Sequence, residues 1–171
     1  VRCQHAGTDI VLHHRVLAEE RMRIGTNPNA EAVLPKFPEV VACVITHLPN
    51  RNGYHSSRDE VIVDSIRSMR DNTGLTVPLL IWDNGSDWVF SEHLDDHFCP
   101  DYMIKSPNIG KASARTAITR MFPPSTILAI SDDDIYYEPN WLEPQLDLLR
   151  NFPNVGVVSG CPVRTQFRFG S

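Results

Sequence analysis

Three consecutive carboxylates, Asp132, Asp133 and Asp134, follow an apolar run in the stretch "ILAISDDDIYY". Like charges at this spacing repel one another and are costly to desolvate, so their position at the end of an apolar run needs a reason. Alternate side chains of an extended chain point to the same side, so Asp132 and Asp134 can share a hard cation. Mg²⁺ or Mn²⁺ takes one or two protein carboxylates and adds water and phosphate oxygens, which suits a metal that carries a diphosphate. A solvated turn before a helix is the alternative.

Two other polar clusters also follow apolar runs. In "WDNGS", Asp83 lies at the end of a strand and Asn84 lies in a tight turn, which is a common feature. Asp83 in that position can accept hydrogen bonds from a base or a ribose. In "SPNIGKASAR", Gly110 allows a close approach of the backbone, and Lys111 and Arg115 lie on one face of a predicted helix. A helix N-terminus beside two cations favours a diphosphate. A solvated basic face is the alternative.

Alternating strands and helices must position these clusters. Continuous apolar runs predict strands covered on both faces, and stretches with helical periodicity lie between them. This alternation predicts an α/β fold with a mostly parallel sheet flanked by helices, in which ligands bind past the carboxyl ends of the strands. The three clusters, together with residues 46–51, are therefore expected to converge. The predicted strands are residues 40–46, 76–82, 101–106, 125–131 and 155–160, and the predicted helices are residues 56–70, 88–97 and 111–122 and a helix that Asn140 caps.

Composition limits the function classes. The chain has 171 residues, of which 42% are hydrophobic, and we predict an N-terminal helix and linker in residues 1–38 and one compact domain in residues 39–171. The net charge of −5 argues against nucleic-acid binding, since that needs a basic face. No apolar stretch approaches the roughly 20 residues of a transmembrane segment. The four cysteines are scattered without a CxxC pair, which favours a reduced, cytoplasmic compartment.

Four motifs in order carry a family resemblance: "VVACVITHLPNR", "IWDNGS", "NIGKASAR" and "ILAISDDDI". Together they resemble the nucleotide-sugar half of a family 2 glycosyltransferase with the GT-A (Rossmann-like) fold, over roughly residues 39–163. The resemblance implies transfer of a sugar from a metal-bound nucleoside diphosphate sugar, UDP- or GDP-linked, to an unknown acceptor. It also implies Mn²⁺ or Mg²⁺ as the cofactor.

The resemblance further implies roles for individual residues. The resemblance makes Thr46, Leu48 and Arg51 part of the wall for the nucleotide base, and Asp83 the acceptor of hydrogen bonds from that base. Gly110, Lys111 and Arg115 match the segment that lies beside the ribose, the diphosphate and the donor sugar. The metal ligand proper is expected to be Asp134, with Asp132 in the ribose and metal shell. In chain order the donor-binding set is Thr46, Leu48, Arg51, Asp83, Asn84, Gly110, Lys111, Arg115, Asp132 and Asp133.

Two departures from the family pattern matter. The loop "THLPNRNGYHSSR" is longer than the usual "PTYNR", and no good candidate for a general base follows Asp134, since Glu138, Glu143 and Asp147 are poorly suited. We therefore expect the acceptor-binding part to be missing and leave the catalytic residue unknown. The alternatives are a catalytically incompetent nucleotide-sugar-binding or scaffold module and a sugar nucleotidyltransferase. The latter would be expected to have a glycine-rich basic loop after its first strand.

Overall fold

The computed structural model describes residues 36–161, apart from the side chain of Tyr54. Most of the predicted N-terminal helix and linker, residues 1–35, lies outside the described residues, as do residues 162–171. The division at residue 38 therefore stays a prediction. Residues 38–161 all belong to one compact unit.

The described residues form a four-stranded parallel sheet in the order β3-β2-β1-β4. Helices connect the parallel strands, so the predicted α/β fold class is confirmed. A short 3₁₀ helix, Gly53–His55, precedes the first α-helix. The elements are β1 Val40–Thr46, α1 Arg58–Asp71, β2 Leu79–Asn84, α2 Trp88–Phe98, β3 Tyr102–Ser106, α3 Lys111–Met121, β4 Ile127–Ser131 and α4 Glu143–Asn151.

The sheet is covered on both faces, as its continuous apolar strands require. Alternate residues of β1 enter two separate cores: Ala42 and Val44 pack with α1 and α2, whereas Val41 and Cys43 pack with α3. Every residue of β1 and β2 is buried. Burial of a Val, Leu or Ile side chain contributes about 1.5–3 kcal/mol, so these two central strands anchor the fold.

The predicted strand at residues 155–160 is wrong, because these described residues form no strand. The side chain of Val157 is 83% exposed. Its apolar, β-branched sequence resembles a strand, but a strand also needs a partner for its backbone groups and a surface to pack on. Within residues 36–161 no strand pairs with this segment, and most of its residues are exposed.

The start of the last helix also differs from the prediction. Asn140 was expected to cap it, but α4 begins at Glu143. Pro144 lies in the first turn, where backbone N–H groups have no acceptor within the helix, so the missing N–H of proline is tolerated. Asn140 instead has a left-handed backbone with φ of 60°. Its backbone N–H donates to the carbonyl of Asn72 at 2.7 Å. The residue joins α4 to the end of α1 without capping either.

The carboxyl ends of all four strands lie at one edge of the sheet because the strands are parallel. The register pairs Thr46 of β1 with Asp83 of β2, and Asn84 with Ser106 of β3. The polar clusters that follow these strands therefore meet at this edge. In the described part of the chain, no helix has the length and apolar character that a membrane span requires.

Candidate functional site

The loops after β1, β2 and β3 are joined by hydrogen bonds centred on His47. The Nδ1 of His47 lies 3.0 Å from the carbonyl oxygen of Asn84, and its Nε2 lies 3.3 Å from the side-chain Nδ2 of Asn108. Since a carbonyl only accepts, we assign the proton to Nδ1, which leaves Nε2 to accept from the amide of Asn108. Nearby, the backbone N–H of Leu48 donates to Ser86 Oγ at 2.9 Å. We call these five residues the His47 network.

Asn84 and Asn108 position the loop that leads into α3. Asn84 accepts a hydrogen bond from the N–H of Ile109 at 3.0 Å and donates one to Asn108 Oδ1 at 3.2 Å, and Asn108 Oδ1 also accepts from Gly110 N at 2.9 Å. Gly85 permits this contact: its φ is +88°, and a Cβ there would lie 2.6 Å from the backbone nitrogen of Asn108. The oxygen and the nitrogen of the side chain of Asn84, a predicted donor-binding residue, are thus both hydrogen-bonded within the loop.

Three of the four residues predicted to surround the base are buried. Thr46 and Leu48 are each 0% exposed and Asp83 is 3% exposed. Leu48 packs in the core shared with α1 and α2, and Asp83 Oδ1 accepts from the N–H of Ser86 at 2.9 Å, closing the turn after β2. The hydroxyl of Thr46 has no hydrogen-bond partner among the described residues. In this conformation these side chains form the floor beneath the edge of the sheet.

Arg51, the fourth of these residues, is exposed and forms ion pairs with two other carboxylates. Its Nε is 3.8 Å from a carboxylate oxygen of Asp59 and 4.0 Å from one of Asp87. These residues lie near the first turns of α1 and α2, with Asp87 capping α2 through the N–H of Phe90. The structure therefore does not bring Arg51 together with the α3 cations.

Asp133 is buried and faces inward. Its Oδ1 accepts a hydrogen bond from Arg58 Nη2 at 2.7 Å, and its Oδ2 accepts one from the backbone N–H of His47 at 3.3 Å. Burial raises the pKa of Asp133, and the charge of Arg58 opposes that rise. This carboxylate ties the turn after β4 to α1 and to the end of β1. Arg58 and His47 were both missed as candidate residues in the sequence.

Asp132 has a different environment, beside the N-terminus of α3. Lys111 Nζ and Arg115 Nη2 each lie 2.6 Å from the same oxygen, Oδ1. Burial alone would raise the pKa of Asp132, but the hydrogen bond and charge of Lys111, reinforced by Arg115, lower it below its ordinary value. The structure thus brings together three of the predicted residues, and we call Lys111, Arg115 and Asp132 the ionic cluster.

Asp134 is exposed and lies between two anchored positions. On one side Asp133 is held by Arg58. On the other, the backbone N–H of Ile135 donates to Ser65 Oγ of α1 at 3.3 Å. The turn that carries Asp134 is therefore fixed to the body of the domain, while its carboxylate remains accessible to solvent.

Two carboxylates in the turn after β4, those of Asp132 and Asp134, could contribute ligands to a divalent cation. Within residues 36–161 there is no group of three or more His, Cys, Asp or Glu side chains arranged to hold a metal ion. Mg²⁺ requires only one or two protein carboxylates when phosphate and water supply the rest. Asp132 and Asp134 offer oxygen donors of that kind, and Asp132 Oδ1 is already bound by two cations. The donor set fits a hard cation that arrives with phosphate, not one that the protein binds alone.

Most of the chain also matches a known protein family. A family model described as "Glycosyl transferase family 2" matches residues 45–170. The match includes the strand ends, the His47 network and the ionic cluster. No curated protein and no solved structure matches the chain.

Proposed function

Because the chain belongs to glycosyl transferase family 2, we propose that it binds a metal-associated nucleoside diphosphate sugar and contributes to transfer of that sugar to an acceptor. The family implies a nucleotide-sugar donor, and the parallel sheet flanked by helices is consistent with the GT-A fold. The observation that carries the proposal is that Lys111 Nζ and Arg115 Nη2 both lie 2.6 Å from one oxygen atom, Asp132 Oδ1. A phosphate oxygen at this position would meet the same two cations.

The start of α3 supports the assignment of this position to the diphosphate. The unpaired N–H groups of a helix N-terminus carry about half a positive charge and favour anions. Lys111 is the first residue of α3 and Arg115 follows one turn later, so both cations add to that field. Arg offers a planar set of donors that matches phosphate geometry, and Lys acts as a compact charge. Gly110, with φ of +81° and open space where a Cβ would lie, allows the ligand to approach the backbone.

The carboxylates of Asp132 and Asp134 would hold Mn²⁺ or Mg²⁺ when the donor binds. Such a cation supplies charge neutralisation for the departing nucleoside diphosphate. Lys111 and Arg115 assist from the other side by binding the negative charge that grows on the leaving group. Asp133, held by Arg58 and His47, keeps the turn in position without touching the ligand. The buried residues beneath the edge shape the site, and contact between Asp83 and the base stays a prediction.

Among the described residues we assign none as the general base that deprotonates the acceptor hydroxyl. Glu143 and Asp147 of α4 lie 3.4 and 3.9 Å from Arg150 in exposed ion pairs on the helix surface. Both carboxylates thus pair with a cation of their own helix, and neither forms an ion pair with Lys111 or Arg115. We therefore propose donor binding and leaving-group stabilisation for this domain and assign no catalytic residue.

A cytoplasmic location stays a prediction, and one observation weighs against it. Cys99 is disulfide-bonded, whereas disulfides are rare in cytosolic proteins. Alkylation of free thiols at the moment of cell lysis, followed by mass spectrometry, checks the prediction. Labelling of Cys99 before any reducing agent is added would support a cytoplasmic location, and labelling only after reduction would contradict it.

Thermal unfolding in the presence of nucleotides tests the proposed function. A ligand that binds only the folded protein adds about 2.7 kcal/mol of stability at 100 times its dissociation constant. We expect UDP or GDP with Mn²⁺ to raise the midpoint, and the matching nucleoside, which lacks phosphates, to raise it much less. If neither nucleotide changes the midpoint with Mn²⁺ present, the proposed donor site is wrong. Release of nucleoside diphosphate from the corresponding sugar nucleotides then identifies the donor.

A further inference from the structure

We propose that Asp132 is an internal counter-ion that holds Lys111 and Arg115 while no donor is bound and gives them up to a phosphate group of the incoming nucleoside diphosphate. In this role the carboxylate competes with the ligand in the absence of a divalent cation. The inference rests on the proposed function and adds the means by which donor and metal binding depend on each other.

The contacts of the ionic cluster have the form of a bound anion. One carboxylate oxygen, Asp132 Oδ1, receives both cations at 2.6 Å, although Asp132 follows β4 and the cations belong to α3. A negatively charged oxygen with two cationic donors at this distance is also the arrangement expected for a bound phosphate oxygen. Asp132 and a phosphate oxygen therefore require the same space and the same donors, and only one of them can be held there.

Exposure makes this exchange accessible. The side chains of Lys111 and Arg115 are both 47% exposed, and that of Asp132 is 35% exposed. Ion pairs open to water contribute little to stability, because water and salt compete for both partners. The neighbouring pair is different: the side chain of Asp133 is only 8% exposed, and Arg58 holds it at 2.7 Å. Of the two aspartates, only Asp132 can be released without leaving a buried charge unpaired.

Release of Asp132 has a consequence for the order of binding. Without a divalent cation, the freed carboxylate would face the phosphate as a like charge, which opposes binding. With a cation present, the freed Asp132 gains a new partner of opposite charge. Binding of the diphosphate and binding of the cation should then strengthen each other, and by linkage the effect is reciprocal.

The substitution Asp132→Asn separates this role from that of a simple metal ligand, because it preserves the shape of the side chain and removes the charge. The probes are inorganic pyrophosphate and UDP, titrated calorimetrically into the full chain in the presence of EDTA. We expect D132N to bind both about fivefold more tightly than the unaltered protein, the lower end of typical coupling between sites. With Mn²⁺ in place of EDTA, the same variant should bind UDP more weakly than the unaltered protein.

Matched variants exclude a general effect of charge. Asp134→Asn removes the same charge two residues away, and Asp134 has no ion pair with Lys111 or Arg115. In EDTA, D134N should change pyrophosphate affinity less than twofold, which is clearly below the roughly fivefold effect expected of D132N. In a Lys111→Gln, Arg115→Gln background, D132N should no longer tighten binding. Equal tightening by D134N, or tightening by D132N that persists without the two cations, would overturn the counter-ion role.

The remaining outcomes distinguish the inference from the function on which it rests. If the unaltered protein binds UDP with Mn²⁺ but D132N binds pyrophosphate in EDTA with unchanged or weaker affinity, Asp132 is not a competing counter-ion and the proposed donor site survives. If the unaltered protein binds neither pyrophosphate nor UDP under either condition, both are wrong. Circular dichroism of D132N confirms that the folded state is the one titrated.

Discussion

The His47 network and the ionic cluster lie along the same edge of the sheet but differ in how their polar groups are used. In the network, the side chains of His47, Asn84 and Asn108 are bonded to one another and to nearby backbone groups. In the ionic cluster, two exposed cations share one carboxylate oxygen. Asn84, which links the parts of the network, is buried, and a buried polar group that loses a partner destabilises the fold, whereas exposed charges can exchange partners. We infer that the network is the scaffold and that the cluster is the part that meets the ligand.

The largest expected effect tests whether Leu48 belongs to the scaffold. Leu48→Ala removes a completely buried side chain from the core, and we expect it to lower the free energy of unfolding by about 4 kcal/mol. Urea denaturation measures this loss. Leu148→Ala, at a leucine that is 46% exposed, is the matched control and should have a much smaller effect. Equal effects of the two substitutions would show that Leu48 is not a core residue.

A second prediction compares two aspartates of the same turn. Asp133→Ala leaves the guanidinium of Arg58 without its carboxylate in a largely buried site, and we expect a loss of about 3 kcal/mol in the free energy of unfolding. Asp134→Ala removes an exposed carboxylate and should change it by less than about 0.5 kcal/mol. Chemical denaturation of both variants under identical conditions checks the difference. A stable Asp133→Ala variant would mean that the turn is held by other contacts.

The third prediction concerns the link between the loops after β2 and β3. Asn84→Ala removes the acceptor for the N–H of Ile109 and the donor to Asn108 Oδ1, which should cost about 2 kcal/mol of stability. Asn50→Ala, at an exposed asparagine, is the control and should stay within about 0.5 kcal/mol of the unaltered protein. Both are measured by urea denaturation. If Asn84→Ala behaves as the control does, the two loops are not joined through this side chain.

The sequence predicted the architecture well where it depends on local pattern. Continuous apolar runs identified β1 and β2, and polar residues directly after strands identified the edge at which the clusters meet. The run at residues 155–160 has the same apolar character and forms no strand, since pairing depends on a partner that the run itself does not specify. Periodicity therefore predicted which segments have strand character, but it did not predict which of them are paired.

The site was predicted less completely, because its contacts span long separations along the chain. The N–H of His47 binds Asp133 across 86 positions, and Arg58 binds it across 75. Nothing local marks either residue. Alternation along the chain set Asp133 apart from Asp132 and Asp134, but it did not predict the buried ion pair of Asp133 with Arg58. Leu48 looked like part of a loop, yet it is a core residue. The ionic cluster was easier to predict, since Lys111 and Arg115 lie one helical turn apart and the aspartates follow a strand directly.

Of the four sites for which a loss of stability is predicted, Lys111 and Arg115 should show the smallest, together with the largest loss of binding. The double substitution Lys111→Gln, Arg115→Gln removes exposed ion pairs and should change the free energy of unfolding by no more than about 1 kcal/mol. The matched control is Arg67→Gln, Arg150→Gln, two exposed cations that pair with carboxylates on the helices α1 and α4 and beside β1. Both double variants are compared with the unaltered protein by urea denaturation, and similar small changes qualify them for the binding experiment.

Calorimetric titration of UDP and of GDP in the presence of Mn²⁺, on the unaltered protein and these two double variants, tests most directly whether the diphosphate binds at the ionic cluster. We expect the unaltered protein and the Arg67→Gln, Arg150→Gln control to bind one of the nucleotides with similar affinity. The Lys111→Gln, Arg115→Gln variant should bind it at least about tenfold more weakly, since 1.4 kcal/mol of lost contact corresponds to a factor of ten. Equal affinity in all three proteins would contradict a diphosphate site at Lys111 and Arg115.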